Sequence, residues 1–380
     1  MLYAKENRVD ALNVLRVIAT LSVFCLHTSI FEPDISSLFS SGGFCFLWRT
    51  PAWSGVWIFF ILGGYFAGKG FASGRYSFSR KGILNYYKKK IIRVYIPTFC
   101  FIFLCAVLCF PGFLVENGGV LIKFFTFTYA GAPGVNGIGA TWYVFSLFWL
   151  YLATPPIAYL LSKIRDRKTI MWIMIAVLSV VNILWRRYAF QSQLEWNSYV
   201  YVPSIANLDL YVGGLIYAYI HHSSSSTQCV KRDSQRDTVR VVRKVFAECL
   251  VVVAFVSNCY FYNQLFWGNR IGSALAGYYY QTIWLLVCIV YIGAFDYPRS
   301  ENTQLSRRAI LQNPLRLIDA FASVGFEFYL FHCLVLDRIA PYVLAGKEMS
   351  WFLHFELILV SGLITLIFSI GFHRIFQSNR

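Results

Sequence analysis

The sequence predicts an all-α, polytopic membrane protein of about ten transmembrane helices with both termini cytoplasmic. Three observations predict it. The 380 residues are 57% hydrophobic and only 14% charged, against about 25% charge in soluble domains, and mean hydropathy is +0.55. Apolar runs close to the roughly 20 residues needed to span a bilayer recur along the chain. The basic residues collect on alternate connections between those runs.

The runs fall at about 11–31, 53–73, 94–112, 141–161, 170–185, 199–220, 245–266, 274–295, 319–344 and 351–372. The first is long, lacks a small-x-small exit site and reads as a retained signal anchor. Between the third and fourth runs, residues 113–140 are apolar but broken by Gly and Pro. They read as a re-entrant or interfacial segment, which needs its backbone buried in protein or lining a wet cavity. Between the sixth and seventh, residues 221–244 are serine-rich, then basic, and read as a mobile cytoplasmic loop near anionic headgroups. The His221–His222 pair within it reads as solvated rather than as a metal site. No separate soluble domain is evident: residues 1–380 form one membrane-embedded unit, with its core at 8–372. No internal repeat is evident either, which disfavours transporters built from duplicated halves.

The net charge of +16 could suggest nucleic acid, but its distribution argues for no nucleic-acid partner. Arg49, Lys123, Arg186, Arg187, Arg270, Arg338 and Lys347 fall on one face, and the rest of the 34 Lys and Arg fall on the other. That asymmetry is the positive-inside pattern. Most of the ten cysteines lie in apolar runs, Cys25, Cys105 and Cys333 among them, and read there as small hydrophobes. No Cys/His cluster has metal spacing along the chain, so no metal site and no disulfide framework are expected.

"NVLRVIATLSVFCLHTSIF" (13–31) carries Arg16 and His27 inside an apolar run. Eleven residues at 100° each bring both side chains to one helix face, roughly 20° apart and roughly 16 Å along the axis. Arg16, near the cytoplasmic end, reads either as a snorkelling topology anchor or as an anion ligand. His27, toward the outer end, reads either as an interfacial histidine bonded to a neighbouring helix or as a general base.

This stretch resembles the R-x₁₀-H first helix of the integral-membrane acyltransferase family 3. Four more stretches resemble that family's motifs in order: "GVWIFFILGGYFAGKG" (55–70), "YYKKKIIRVYIPTF" (86–99), "TWYVFSLFWLYLATPPI" (141–157) and "FEFYLFHCLVL" (326–336). The resemblance covers about residues 8–372. It implies transfer of an acyl group, commonly acetyl, from cytoplasmic acyl-CoA to hydroxyls of sugars or other acceptors at the outer face. It implies His27 and Arg16 as the catalytic pair, and Lys90 and Arg93 as the basic motif at the acyl-CoA. Three positions depart from the family pattern. Asn13 stands where an Asp is usual, so Arg16 needs another carboxylate, for which Asp10 is a candidate. Gly63 replaces a Ser, and Lys90 replaces an Arg, giving up the bidentate fork.

Trp142 and Tyr143 read as lining of the acceptor entrance or as members of an interfacial aromatic belt. Glu327 and His332 differ by roughly 140° around their helix, so they form no joint acid–base pair. Glu327 is a candidate substrate contact that needs a partner from another helix or from His27, and His332 reads as structural. Asp209 reads as a helix cap near the interface. Gly213 and Gly214 read as close-packing positions.

The reading these observations support is an O-acetyltransferase of the cytoplasmic (inner) membrane. Its donor is acetyl-CoA, its acceptor is a carbohydrate, its surroundings are membrane lipid, and it needs no metal. His27 acts as base, or alternatively as a nucleophile carrying the acyl group. The competing reading is a transporter or flippase of a lipid-linked or small polar substrate, and a third class is a membrane sensor or scaffold.

Overall fold

The structure, a computed structural model, describes residues 11–30, 51–109, 118–129, 137–225, 234–266, 275–295, 316–347 and 350–377. Its α-helices are α1 (Ala11–Ile30), α2 (Ala52–Ala72), α3 (Arg80–Lys90), α4 (Ile96–Leu104), α5 (Gly118–Phe125), α6 (Trp142–Lys163), α7 (Lys168–Gln191), α8 (Leu208–Ser225), α9 (Ser234–Phe266), α10 (Tyr280–Phe295), α11 (Arg316–Leu344) and α12 (Trp351–Gln377). Among the described residues there is no strand, and nine helical runs are long and apolar enough to cross a membrane. The protein is all-α and polytopic.

The sixth predicted run, 199–220, is not among the nine. It breaks into a π-turn at Asn197–Tyr201, a 3-10 turn at Ser204–Asn207 and α8. The last turns of α8 are polar (His221, His222 and three serines), which lowers its hydropathy. Yet every residue from Asp209 to Ile220 is buried. A helix apolar on all sides belongs inside a bundle, and α8 packs there against α2, α7 and α10. Glycines bring α2 and α8 together. A Cβ on Gly64 would overlap the Tyr211 carbonyl, and one on Gly214 the Ile61 carbonyl, so the two backbones touch. Gly55 gives the same close approach to Ala19 on α1.

The third predicted run starts too late. One helical path runs from α3 through a π-turn (Ile91–Tyr95) into α4 and a second π-turn (Cys105–Cys109). Its start is Ser79, whose hydroxyl accepts from the Gly82 N–H at 3.2 Å as an N-cap. Hydropathy stops at the Lys88–Lys90 cluster, but the helix continues through it. The 221–244 stretch is likewise less of a loop than predicted: 221–225 close α8, 234–244 open α9, and 226–233 lie outside the described residues. His221 and His222 are half-buried on α8, with the His221 ring 5.9 Å from that of Tyr217. In the 3–4 connection only the eight-residue α5 and a short 3-10 turn (Gly139–Thr141) appear, while 113–117 and 130–136 are outside the described residues.

Pro155 and Pro156 lie inside α6. Pro156 has no N–H for the Leu152 carbonyl four residues earlier. The Tyr87 hydroxyl fills that place, donating to Leu152 O at 2.9 Å. This bond ties α3 to α6 beside Tyr151.

Candidate active site

His27 and His332 meet at the interface of α1 and α11. The His27 Nδ1 lies 2.8 Å from the Val23 carbonyl, one turn back on its own helix. A carbonyl only accepts, so Nδ1 carries the hydrogen in the neutral ring. By the same argument His332 Nδ1 donates to Tyr329 O at 2.6 Å, which leaves His332 Nε2 as an acceptor. His332 Nε2 stands 3.1 Å from His27 Nδ1 and 3.2 Å from the Cys333 Sγ. The Nδ1–H of His27 is thus shared between Val23 O and His332 Nε2, and the His27 Nε2 keeps its lone pair. His332 is 1% exposed, whereas His27 is only partly buried. One imidazole is a fixed support and the other presents a basic nitrogen.

Toward the other end of α1, Arg16 donates from Nη1 to Asn13 Oδ1 at 2.8 Å, and its guanidinium lies 4.5 Å from the Phe66 ring centre. Asn13 in turn donates from Nδ2 to Asp319 Oδ1 at 2.8 Å. The carboxylate missing at position 13 is therefore supplied from α11. Asp10, the candidate from sequence, lies outside the described residues.

Lys90 and Arg93 do not share a face. The π-turn that starts between them holds an extra residue per turn and shifts the register. Lys90 turns inward, its ammonium 3.9 Å from the Tyr151 ring centre and 5.5 Å from that of Tyr86. Arg93 is exposed. Among the described residues Lys90 has no carboxylate or hydrogen-bond partner. Lys88 is exposed, and Lys89 is half-buried near the Tyr76 ring.

Trp142 and Tyr143 are both buried, which is not how a belt at the lipid interface sits. Trp142 packs 4.8 Å from Tyr201, and Tyr201 leads to Trp53 at 6.1 Å. Tyr143 packs 5.7 Å from Tyr329, whose ring is 5.6 Å from His332. An aromatic path therefore runs from Trp53 to the histidine pair. Glu327, 0% exposed, faces elsewhere: its Oε1 accepts from His373 Nδ1 of α12 at 2.9 Å. Asp209 lies in the first turn of α8 but is buried in the bundle, not near an interface. Its Oδ1 accepts from Asn182 at 3.1 Å and from Gln281 at 2.5 Å.

A family model described as an acyltransferase domain matches residues 9–374, nearly the whole chain. The chain belongs to acyltransferase family 3. No curated protein and no solved structure matches it.

For a membrane acyltransferase the geometry has direct chemical meaning. Acyl transfer needs a group that can take the proton of the attacking nucleophile, and His27 Nε2 carries a lone pair able to do so. Arg16 and Lys90 are partly buried cations of a kind that can pair with phosphate. His27, His332 and Cys333 also place one ligand atom each within 4.8 Å of the others, a donor set that could hold an ion such as zinc. The spacing of these residues along the chain gave no such cluster, because it is assembled from two helices. His332, read from the sequence as structural, is the residue that supports His27, and Asp319 was not singled out. The late "YLFH" stretch was the available signal for His332. For Asp319 the signal was an Asp in the first turn of a membrane span, with a first helix short of a carboxylate.

Proposed function

We propose that this acyltransferase moves an acetyl group from cytoplasmic acetyl-CoA to a hydroxyl of a cell-surface polysaccharide or lipid-linked sugar precursor, in the cytoplasmic (inner) membrane. The observation that carries the reading is the tautomer of His27. With Nδ1–H engaged by Val23 O and His332 Nε2, Nε2 is the atom left to take a proton. The acceptor hydroxyl gives its proton to Nε2 as its oxygen attacks the thioester carbonyl. A C–O bond forms, the C–S bond breaks, and the imidazolium returns the proton to the departing CoA thiolate. Lys90 and Arg93 serve the phosphates of acetyl-CoA, Lys90 from within the bundle and Arg93 from its surface. Arg16 orients the donor between them and His27, roughly 16 Å from His27 along α1. Trp142 and Tyr143 line the acceptor side, where aromatic rings suit the apolar faces of sugars, and Glu327 holds the neighbouring helix through His373. The charge asymmetry of the sequence favours the cytoplasmic membrane with both termini inside.

The test is His27→Ala in cells whose surface glycans are analysed by mass spectrometry. The acetyl increment is lost while the variant remains inserted at the wild-type level. Wild-type acetylation by that variant overturns the reading.

A further inference from the structure

We infer that Asp319 is a positioning residue for acyl transfer, acting on Arg16 through Asn13; the inference rests on the function proposed above. The chain of contacts is explicit. Asp319 Oδ1 accepts from Asn13 Nδ2 at 2.8 Å, and Asn13 Oδ1 accepts from Arg16 Nη1 at 2.8 Å. An amide has one donor end and one acceptor end. Because Asp319 fixes the donor end, the acceptor end must face Arg16. Asn13 is thereby held in the one flip that presents oxygen, not nitrogen, to a cation. The opposite flip would set the NH₂ against the guanidinium, donor against donor, and the amide oxygen against the Asp319 carboxylate, acceptor against acceptor.

The arrangement also spans an interface. Asn13 and Arg16 are on α1, and Asp319 is in the first turn of α11. Asp319 is 7% exposed, so its charge is screened little by water. The Phe66 ring of α2 closes the opposite side of the guanidinium at 4.5 Å. Arg16 is therefore clamped between an aromatic face and an amide whose orientation a carboxylate dictates. α11 also carries His332, which orients His27. One helix thus sets both functional side chains of α1, the cation through Asp319 and the base through His332.

The polarity of the relay can be reversed by exchange. In Asp319→Asn the side chain keeps its shape and can still accept from Asn13, but the charge that enforces the flip is gone. Adding Asn13→Asp places a carboxylate directly on Arg16, and the new amide at 319 donates to it. The two hydrogen bonds, between residues 319 and 13 and between residue 13 and Arg16, are then restored with the charge moved from α11 to α1.

The experiment uses the purified full-length protein in detergent, with acetyl-CoA as probe and CoA release in the presence of acceptor glycan as readout. Asp319→Asn is expected to lower kcat/KM by about tenfold, the size of one lost hydrogen bond to a charged group. The Asn13→Asp/Asp319→Asn pair is expected to recover to within about threefold of wild type. Arg16→Ala is expected to be at least as impaired as Asp319→Asn, with no further loss when the two are combined, since both act through one group. Elution and melting temperature confirm that each variant is folded. A wild-type rate for Asp319→Asn, additive losses with Arg16→Ala, no recovery in a folded exchange pair, or a wild-type rate for Arg16→Ala each overturns the inference. His27→Ala in the same assay reports separately on the underlying function, because its failure to reduce CoA release would condemn the chemistry rather than the relay.

Discussion

His332 Nε2 lies 3.1 Å from His27 Nδ1 across the α1–α11 interface. The two rings are not interchangeable. His332 is enclosed and spends its own Nδ1–H on Tyr329 O, so it has only a lone pair to offer. That lone pair, with the Val23 carbonyl, fixes which nitrogen of His27 bears the hydrogen. The tautomer of His27 is thus set jointly by a carbonyl of its own helix and by a residue on another.

His332→Ala is expected to reduce kcat by about tenfold, one hydrogen bond's worth of orientation, with the KM for acetyl-CoA unchanged. Removing His27 itself costs a general base, on the order of 10²–10⁴-fold. The double variant should be no slower than His27→Ala alone, because His332 acts only through His27. Steady-state CoA release checks all three. A double variant slower than either single one would show that His332 has chemistry of its own.

Lys90 and Arg93 should separate. Lys90 is directed inward over Tyr151 at 3.9 Å, while Arg93 is exposed. An exposed cation contributes little to a bound anion, and salt screens what it does contribute. Lys90→Gln is therefore expected to raise the KM for acetyl-CoA by about tenfold with kcat nearly unchanged, and Arg93→Gln by no more than about twofold at physiological salt. Equal effects would mean that the π-turn does not divide the two side chains as the structure has it.

The contrast between those residues marks what was legible in the sequence. Hydropathy and charge asymmetry reveal a membrane bundle, because bilayer thickness writes directly onto run length. The Arg16–His27 spacing reveals one helix face, because helix geometry is local. The helix through Lys88–Lys90 was missed, since a charge cluster and a helix end look alike in hydropathy. The π-turn that parts Lys90 from Arg93 leaves no periodicity to detect over five residues. His332 and Asp319 lie about 300 residues from their partners (separations of 305 and 306), and only the packing of α1 on α11 joins them. The interfacial position expected of Asp209 does not hold, because a sequence does not show that α8 is walled in on all sides.

That enclosure of α8 gives the last prediction, at the adjacent glycines of "GGY". A Cβ at Gly64 would overlap the Tyr211 carbonyl, which is backbone and cannot swing aside. Gly64→Ala must therefore push α2 and α8 apart, an overpacking of about 1–3 kcal/mol or more, seen as a lower melting temperature in detergent and weaker accumulation in the membrane. Gly63 differs by one position and 100° of helix. The nearest atom to a Cβ added there is the Tyr211 Cε2 at 3.6 Å, ordinary contact, and a serine hydroxyl there can bond back to its own helix. Gly63→Ser is expected to stay within about 0.5 kcal/mol of wild type and to keep its rate of transfer. A stable, fully active Gly64→Ala variant would mean that α2 and α8 do not meet backbone to backbone, and the placement of Tyr151 and Lys90 beside them would have to be redrawn.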